Sequence, residues 1–230
     1  MTYSIPKNKN NNISLYQTKQ TDIINSKSIN KGKYQTYTTL QYIQKRIIDF
    51  FIGGLLLIVS MPVILYTVYR IKKESPGPIF FKQARIGING KPFTCYKFRS
   101  MHINSKFNPY TQENDSRIFP FGNTMRQMRI DELPQLLNIL KGEMHLIGPR
   151  AEWDILVKDY ETIIPGYHDR HLVAPGITGL AQVQYPYGRN TKDAKNKLKY
   201  DRLYIDSWSL GLEFKVVWRT IKVILGRRGM

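Results

Sequence analysis

The chain has 230 residues, with 35 Lys and Arg against 17 Asp and Glu, a formal net charge of +18. That length holds one domain with a real core plus appendages, and the charge calls for an anionic partner: phosphates, an acidic membrane surface or nucleic acid. The single cysteine, Cys95, excludes an internal disulfide and fits a reducing compartment. The four histidines, His102, His145, His168 and His171, lack zinc-motif spacing, so surface or hydrogen-bonding roles are expected of them.

Residues 1–40 are rich in Asn, Lys, Gln, Ser and Thr and predict a disordered, mildly basic tail without a signal-peptide pattern. Lys45-Arg46-Ile47-Ile48-Asp49 then leads into Phe50–Tyr69, twenty residues without a charge, the length of a bilayer-crossing helix. Lys45 and Arg46 precede this run, and Arg70, Lys72 and Lys73 follow it. Positive flanks at both ends fit best if both stay cytoplasmic. Ser60-Met61-Pro62 lies at the middle, where the proline removes a backbone donor and the serine hydroxyl is placed to satisfy a freed group. Two topologies follow for residues 41–73: a simple span, or a re-entrant helix that returns to the face it entered.

Glu74-Ser75-Pro76-Gly77-Pro78 is a breaker cluster that ends the helix, and residues 74–230 form the expected domain outside the membrane segment. Ile79–Arg85 and Pro92–Phe98 predict two strands joined through an Asn89-Gly90 hairpin turn. Residues 102–118 predict a mobile loop beside a site. Residues 119–150 predict a helical block, with Leu133, Leu136, Leu137 and Leu140 on one helix that Lys141-Gly142 closes. A mixed helical pattern covers 151–170, turn-rich loops cover 174–179 and 185–190, and an amphipathic helix covers 192–205. The last helix, 210–225, mixes apolar and basic residues; it suits ordinary core packing or an interfacial position on anionic lipid.

An acidic pair, Asp131-Glu132, stands in a basic neighbourhood of Arg126 and Arg129, with Gly148-Pro149-Arg150 following. One reading is structural: Asp131 caps the helix after it, with Pro134 in the first turn. The other is chemical: an Asp beside bound phosphate attacks phosphorus when arginines and a metal neutralise the repulsion, and the adjacent Glu holds that metal. No Gly-rich phosphate loop of the Walker or dinucleotide kind is present, so arginines, a metal and helix N-termini would hold a nucleotide's phosphates.

These residues, in this order, resemble the bacterial sugar transferases, monotopic polyprenyl-phosphate hexose-1-phosphate transferases. The resemblance runs over about 45–225 through Lys45-Arg46-x-x-Asp49, Ser60-x-Pro62, Ser75-Pro-Gly-Pro-Ile-Phe-Phe-Lys-Gln-x-Arg85-x-Gly87 and Tyr96-Lys97-Phe98-Arg99-Ser100-Met101. It continues through Arg126, Asp131-Glu132-Leu-Pro-Gln-Leu-x-Asn138, Leu140-Lys-Gly142, Gly148-Pro-Arg150 and Pro175-Gly-Ile-Thr-Gly179-x-Ala-Gln182-Val. Two positions depart from the family pattern: Ala151 follows Arg150 where a proline is usual, and Met61 separates Ser60 from Pro62.

The resemblance implies an α+β, mainly helical, monotopic membrane protein of the compact catalytic form. Its parts would be a re-entrant N-terminal membrane helix, amphipathic interfacial helices and a small β-hairpin. It implies a site at the cytoplasmic face of the bacterial cell (inner) membrane. There a UDP-sugar gives its sugar-1-phosphate to undecaprenyl phosphate, UMP leaves, and lipid-linked glycan assembly begins. It implies Asp131 as nucleophile, through a phosphosugar-aspartyl intermediate, and Glu132 as support for Mg²⁺. Arg126 and Arg150 match the family's phosphate- and nucleotide-contacting arginines. Lys97 and Arg99 are expected near the lipid phosphate, and Arg85 completes the substrate-binding set. Anionic lipids and glycan-assembly enzymes are the expected partners. Two competing readings are a membrane-tethered nucleic-acid binder, which no recognised motif supports, and an inactive assembly scaffold, against which the intact acidic pair and arginines stand.

Overall fold

The computed structural model describes residues 36–103, 105, 115–185 and 190–226. Most of the expected N-terminal tail, most of the 102–118 loop, residues 186–189, and Arg227 and Arg228 lie outside these.

Helix α1, Thr39–Glu74, begins with a capping box in which the Thr38 hydroxyl accepts from the Gln41 amide and the Gln41 side chain accepts from the Thr38 amide. It runs unbroken through Pro62, although that residue leaves the Ile58 carbonyl without its helical partner. The Ser60 hydroxyl donates to the Leu57 carbonyl at 3.2 Å, one residue away from the carbonyl that Pro62 abandons. At 36 residues the helix is about 54 Å long. It is long and apolar enough to cross a membrane, with an 18-residue window of mean hydropathy 2.4 of which 11% is buried.

One stripe of α1 is nonetheless packed on the rest of the chain. Lys45, Asp49, Gly53, Thr67 and Ile71 are buried; steps of four residues within each group put them on one helix face. Near the N-terminal end, Lys45 pairs with Glu213 and Asp49 meets His145 and Leu146. Near the C-terminal end, Ile71 joins Phe98, Phe119, Phe121 and Met125, and Glu74 accepts from the Phe121 amide at 2.8 Å. Both ends of α1 therefore dock on the same body, while Phe51, Leu55, Ile58, Val59 and Leu65 point outward, Ile58 at 71% exposure.

Strands β1, Phe80–Ile86, and β2, Pro92–Phe98, pair antiparallel with Lys82 opposite Tyr96 and Arg85 opposite Phe93. The turn between them is a 3-10 turn, Ile88–Gly90, in which Asn89 (φ 54°) and Gly90 (φ 73°) take the left-handed conformation that an Asn-Gly pair tolerates.

The region expected as one helical block is broken into four parts. Helix α2, Pro120–Gln127, is followed by a 3-10 turn, Ile130–Glu132, helix α3, Gln135–Lys141, and strand β3, His145–Ile147. Arg129, at φ 58°, reverses the chain between α2 and the turn; among described residues other than glycine, it shares positive φ with Asn89 alone. Gly142, at φ 87°, ends α3 as a left-handed cap.

Helix α4, Asp154–Ile163, leads through Gly166 to a 3-10 segment, Tyr167–Leu172. Strand β4, Gly176–Thr178, then lies parallel to β3, with His145 opposite Gly176 and Ile147 opposite Thr178. This strand was expected as loop. The close approach requires glycine: a Cβ on Gly176 would sit 2.1 Å from the Gly148 nitrogen, and one on Gly179 2.0 Å from the Gly148 oxygen. Helix α5, Leu180–Gln184, helix α6, Thr191–Asp206, and helix α7, Leu210–Leu225, complete the chain.

Helix α7 buries Glu213 and Val216 and hydrogen-bonds through Thr220 to Thr178 at 2.7 Å. Its opposite face exposes Leu210, Phe214, Val217, Trp218 and Ile221, with Phe214 at 76%. One side of α7 thus packs into the core through Leu212 and Val216, and the apolar face turned outward suits an interfacial position. Glu213 Oε1 gathers Lys45, the Tyr204 hydroxyl at 2.8 Å and the Trp208 indole N–H at 2.8 Å, fastening α7 to α1.

Candidate active site

The 3-10 turn after Arg129 brings Asp131 and Glu132 against strand β2 rather than onto the start of α3. The residue before α3 is Pro134, and no side chain caps it. The capping reading of Asp131 is thereby set aside: its carboxylate serves no helix end.

Both carboxylates are nearly enclosed, Asp131 at 7% and Glu132 at 5% exposure. Three cations converge on Glu132 Oε1: Lys97 Nζ at 2.7 Å, Arg150 Nη2 at 2.9 Å and Arg129 Nη1 at 3.6 Å. Lys97 Nζ also lies 4.0 Å from Asp131 Oδ2. Asp131 Oδ1 is buried without a hydrogen-bond partner. A carboxylate oxygen left so costs free energy, and its persistence marks a site that a ligand completes.

Electrostatics separate the two acids. Burial pushes the Asp131 carboxyl above the usual aspartate range, and Glu132 adds to this, while Lys97, Arg126 and Arg129 only partly offset it. Burial also opposes charge on Glu132, but Lys97, Arg150 and Arg129 outweigh it and hold that carboxyl well below its ordinary range. Burial lowers the Lys97 ammonium, with Glu132 opposing and Arg150 adding to the shift. Two carboxylates thus sit within the field of Lys97, Arg126, Arg129 and Arg150, an excess of positive charge that suits a diphosphate.

Local structure explains how these groups meet. Asn138, fully buried on α3, accepts from the Tyr96 amide at 3.2 Å and donates to the Thr94 carbonyl at 2.7 Å and to Glu143 at 2.6 Å. It joins α3 to the strand that carries Lys97. Arg150 is placed by the close crossing of β3 and β4: it bridges to Gly176, and its carbonyl accepts from Arg170 Nη2 at 3.0 Å. Arg170 is itself paired with Asp201 at 2.9 Å. The sequence motifs contain Asn138, but nothing in its spacing signals this bracing role; Arg170 stood outside them.

Of the expected site residues, Asp131, Glu132, Lys97, Arg126 and Arg150 are brought together. Arg85 lies at the edge, close enough to act on the charge of Lys97, and its guanidinium binds Gln83 and the Ala151 carbonyl. Arg99, expected near the lipid phosphate, stands apart from the acidic pair. It is buried elsewhere, donating to the Pro78 carbonyl and the Ser75 hydroxyl, each at 2.6 Å, and to the Ser75 carbonyl. Those bonds clamp the chain leaving α1, so Arg99 shapes the turn and presents nothing to the acidic pair. His145 and His171, expected at the surface or in hydrogen bonds, are both buried, and His145 bonds Asp49.

The donor set fits a hard cation. Adjacent carboxylates supply oxygen ligands alone, and Mg²⁺ prefers one or two carboxylates shared with phosphates and water. The unpartnered Asp131 Oδ1 and the adjacent Glu132 carboxylate are oxygen donors of the kind such an ion takes.

A long apolar helix, a hairpin carrying a lysine and an acid pair ringed by arginines stand together in this chain, and a family comparison says where it belongs. The model of the bacterial sugar transferases matches residues 40–227, and the chain belongs to that family. It is 42% identical, over 79% of its length, to a UDP-N-acetylgalactosamine-undecaprenyl-phosphate N-acetylgalactosaminephosphotransferase of Aeromonas hydrophila. It is 37% identical, over 77% of its length, to the UDP-glucose:undecaprenyl-phosphate glucose-1-phosphate transferase of Escherichia coli. The chain spans 43% and 39% of those two proteins. By contrast it spans 95% of the exopolysaccharide production protein PSS of Rhizobium leguminosarum, with 36% identity over 79% of this chain.

Proposed function

We propose that the chain transfers a sugar-1-phosphate from a UDP-sugar to undecaprenyl phosphate at the cytoplasmic face of the bacterial cell membrane, releasing UMP. The observation that carries this is the contrast within the acidic pair. Glu132 is neutralised by three cations, while beside it Asp131 keeps a buried oxygen without a partner.

In the reaction, an Asp131 carboxylate oxygen attacks the phosphorus that bears the sugar. The bond from that phosphorus to the bridging oxygen breaks, and UMP departs with the electron pair. A phosphosugar-aspartyl ester results, a reactive acyl phosphate. An oxygen of the lipid phosphate then attacks the same phosphorus, the aspartyl carboxylate leaves, and the sugar is linked to the lipid through a diphosphate. Arg126 and Arg150 hold the donor phosphates, and Lys97 offsets charge as they approach Asp131. Glu132 and Asp131 would hold Mg²⁺, which when bound neutralises diphosphate charge and stabilises the departing UMP.

Packing supports one reading of the membrane arrangement. Both ends of α1 rest on one body, and the outward faces of α1 and α7 are apolar. The reading is that α1 enters the bilayer without carrying its two ends to opposite sides, and that α7 lies in the interface on anionic lipid. A lipid substrate that never leaves the bilayer then meets a site kept from bulk water.

The test is UMP release across a panel of UDP-sugars with undecaprenyl phosphate and Mg²⁺. Release that depends on both lipid and one UDP-sugar is expected; no release with any of them would overturn the reading.

A further inference from the structure

Away from the acidic pair, α4 and the 3-10 segment after it bring Glu161, His168 and His171 together, with one ligand atom from each lying within 4.8 Å of the others. His168 Nδ1 is 3.2 Å from Glu161 Oε1, and His171 Nδ1 is 4.0 Å from the same oxygen. Four-coordinate zinc with bonds near 2.1 Å separates its ligands by about 3.4 Å, so small side-chain movements complete the set. The two histidines are three apart on a 3-10 segment, where that spacing puts side chains on one face.

An ordinary surface pair accounts for His168 and Glu161 but not for His171. That ring is 5% exposed, and its Nδ1 is buried with no hydrogen-bond partner. A polar atom so placed needs a partner, and Glu161 Oε1, at 4.0 Å, is too far to be one. Arg170 places a like charge beside the site, with its guanidinium engaged by the Tyr167 hydroxyl at 2.6 Å and by Asp201 at 2.9 Å.

We infer that Glu161, His168 and His171 form a binding site for a zinc-like divalent transition metal, separate from the acidic pair. Two imidazoles and a carboxylate suit zinc and its neighbours rather than Mg²⁺. Glu161 and His168 are partly exposed, which leaves a coordination position to water. The metal would fasten α4 to the 3-10 segment. That segment carries Arg170, which holds the Arg150 carbonyl at 3.0 Å, so the ion would brace the turn presenting Arg150.

The experiment uses the full chain in detergent, stripped of transition metal and kept in excess Mg²⁺, titrated with Co²⁺ and then Zn²⁺. The wild type is expected to take up about one equivalent of Co²⁺ with the intense visible absorption of a tetrahedral site, and to release it to Zn²⁺. Zn²⁺ is also expected to raise its thermal midpoint. His168→Ala and Glu161→Gln, both at partly exposed positions, are expected to weaken uptake at least about 100-fold and abolish that shift. Glu132→Gln is expected to bind as the wild type does. Absence of tight uptake by the wild type overturns the site. So does uptake that survives His168→Ala and Glu161→Gln, or that is lost in Glu132→Gln instead.

Discussion

Asp49, on the buried stripe of α1, lies 2.5 Å from His145 Nδ1 and accepts the Leu146 amide at 3.0 Å, so the apolar helix is hydrogen-bonded to strand β3. The strand ends at Ile147, three residues before Arg150. The apolar helix and the strand leading to Arg150 are thus parts of one packed unit. About 25 residues further along α1, Glu74 is bonded to the Phe121 amide on the same unit. A straight crossing of a hydrocarbon layer about 30 Å thick would have to break one of these attachments. In a Cys95→Ser background, Thr36→Cys and Lys73→Cys, both exposed, should resist a membrane-impermeant maleimide in intact spheroplasts and react after permeabilisation. Labelling of one but not the other in intact spheroplasts would restore a simple span.

The two acids and Lys97 dictate the pH dependence. Glu132, held well below its ordinary range, stays ionised through the working range. Asp131, raised by burial, must lose its proton to attack, so kcat/KM should fall on the acid side with a midpoint above the usual aspartate value of about 3.9. Lys97, lowered by burial, should set an alkaline limb below the ordinary lysine value of about 10.4. Lys97→Arg should remove the alkaline limb, since arginine does not titrate there. An acid midpoint at or below about 3.9, or an alkaline midpoint at or above about 10.4, would count against the corresponding assignment.

Ionised Asp131 also burdens the fold. Its folded pKa is raised above the unfolded value, so the native state loses stability as pH climbs from the unfolded value through the folded one, and the loss is complete above that. Asp131→Asn removes the charge and should raise stability at pH 7 by about 1 kcal/mol, with no gain at pH 3. Thermal melts at the two pH values check this. A destabilised Asp131→Asn at pH 7 would show that the carboxylate contributes to folding.

Asn138→Ala should cost about 3 kcal/mol, because it strands the Tyr96 amide, the Thr94 carbonyl and Glu143 at once. It should also lower kcat, since the strand bearing Lys97 loses its registration to the acidic pair. Asn138→Asp keeps the acceptor and loses the donor, so it should retain only part of the stability. Chemical denaturation of the two variants ranks them.

Much of this architecture was readable before the fold. Asn89-Gly90 gave the hairpin, and the charge and apolar periods gave α6 and α7 to within a residue. Strands β3 and β4 were not readable, because three residues are too few to carry a period of two, and their pairing rests on the close approach of Gly148, Gly176 and Gly179. The helix at the acidic pair was placed too early because Arg129 takes a left-handed conformation, which no arginine announces in sequence. Arg99 looked like a substrate ligand from its neighbours Lys97 and Phe98, yet the carbonyls of the Ser75–Pro78 turn claim it. The histidine pair failed the usual zinc spacing because its third partner, Glu161, lies across the Pro165-Gly166 turn.

The central claim is that Asp131 forms a covalent bond to the transferred phosphosugar. The direct measurement is incubation of the wild type and Asp131→Asn with UDP-sugar labelled in the phosphate that bears the sugar, without lipid acceptor, followed by peptide mapping. Label on the wild-type peptide containing Asp131, removed by hydroxylamine, discharged by undecaprenyl phosphate and absent from Asp131→Asn, is the result predicted, together with a loss of turnover of at least about 1,000-fold in that variant. Label mapping to another residue, or near-normal turnover in Asp131→Asn, would contradict it.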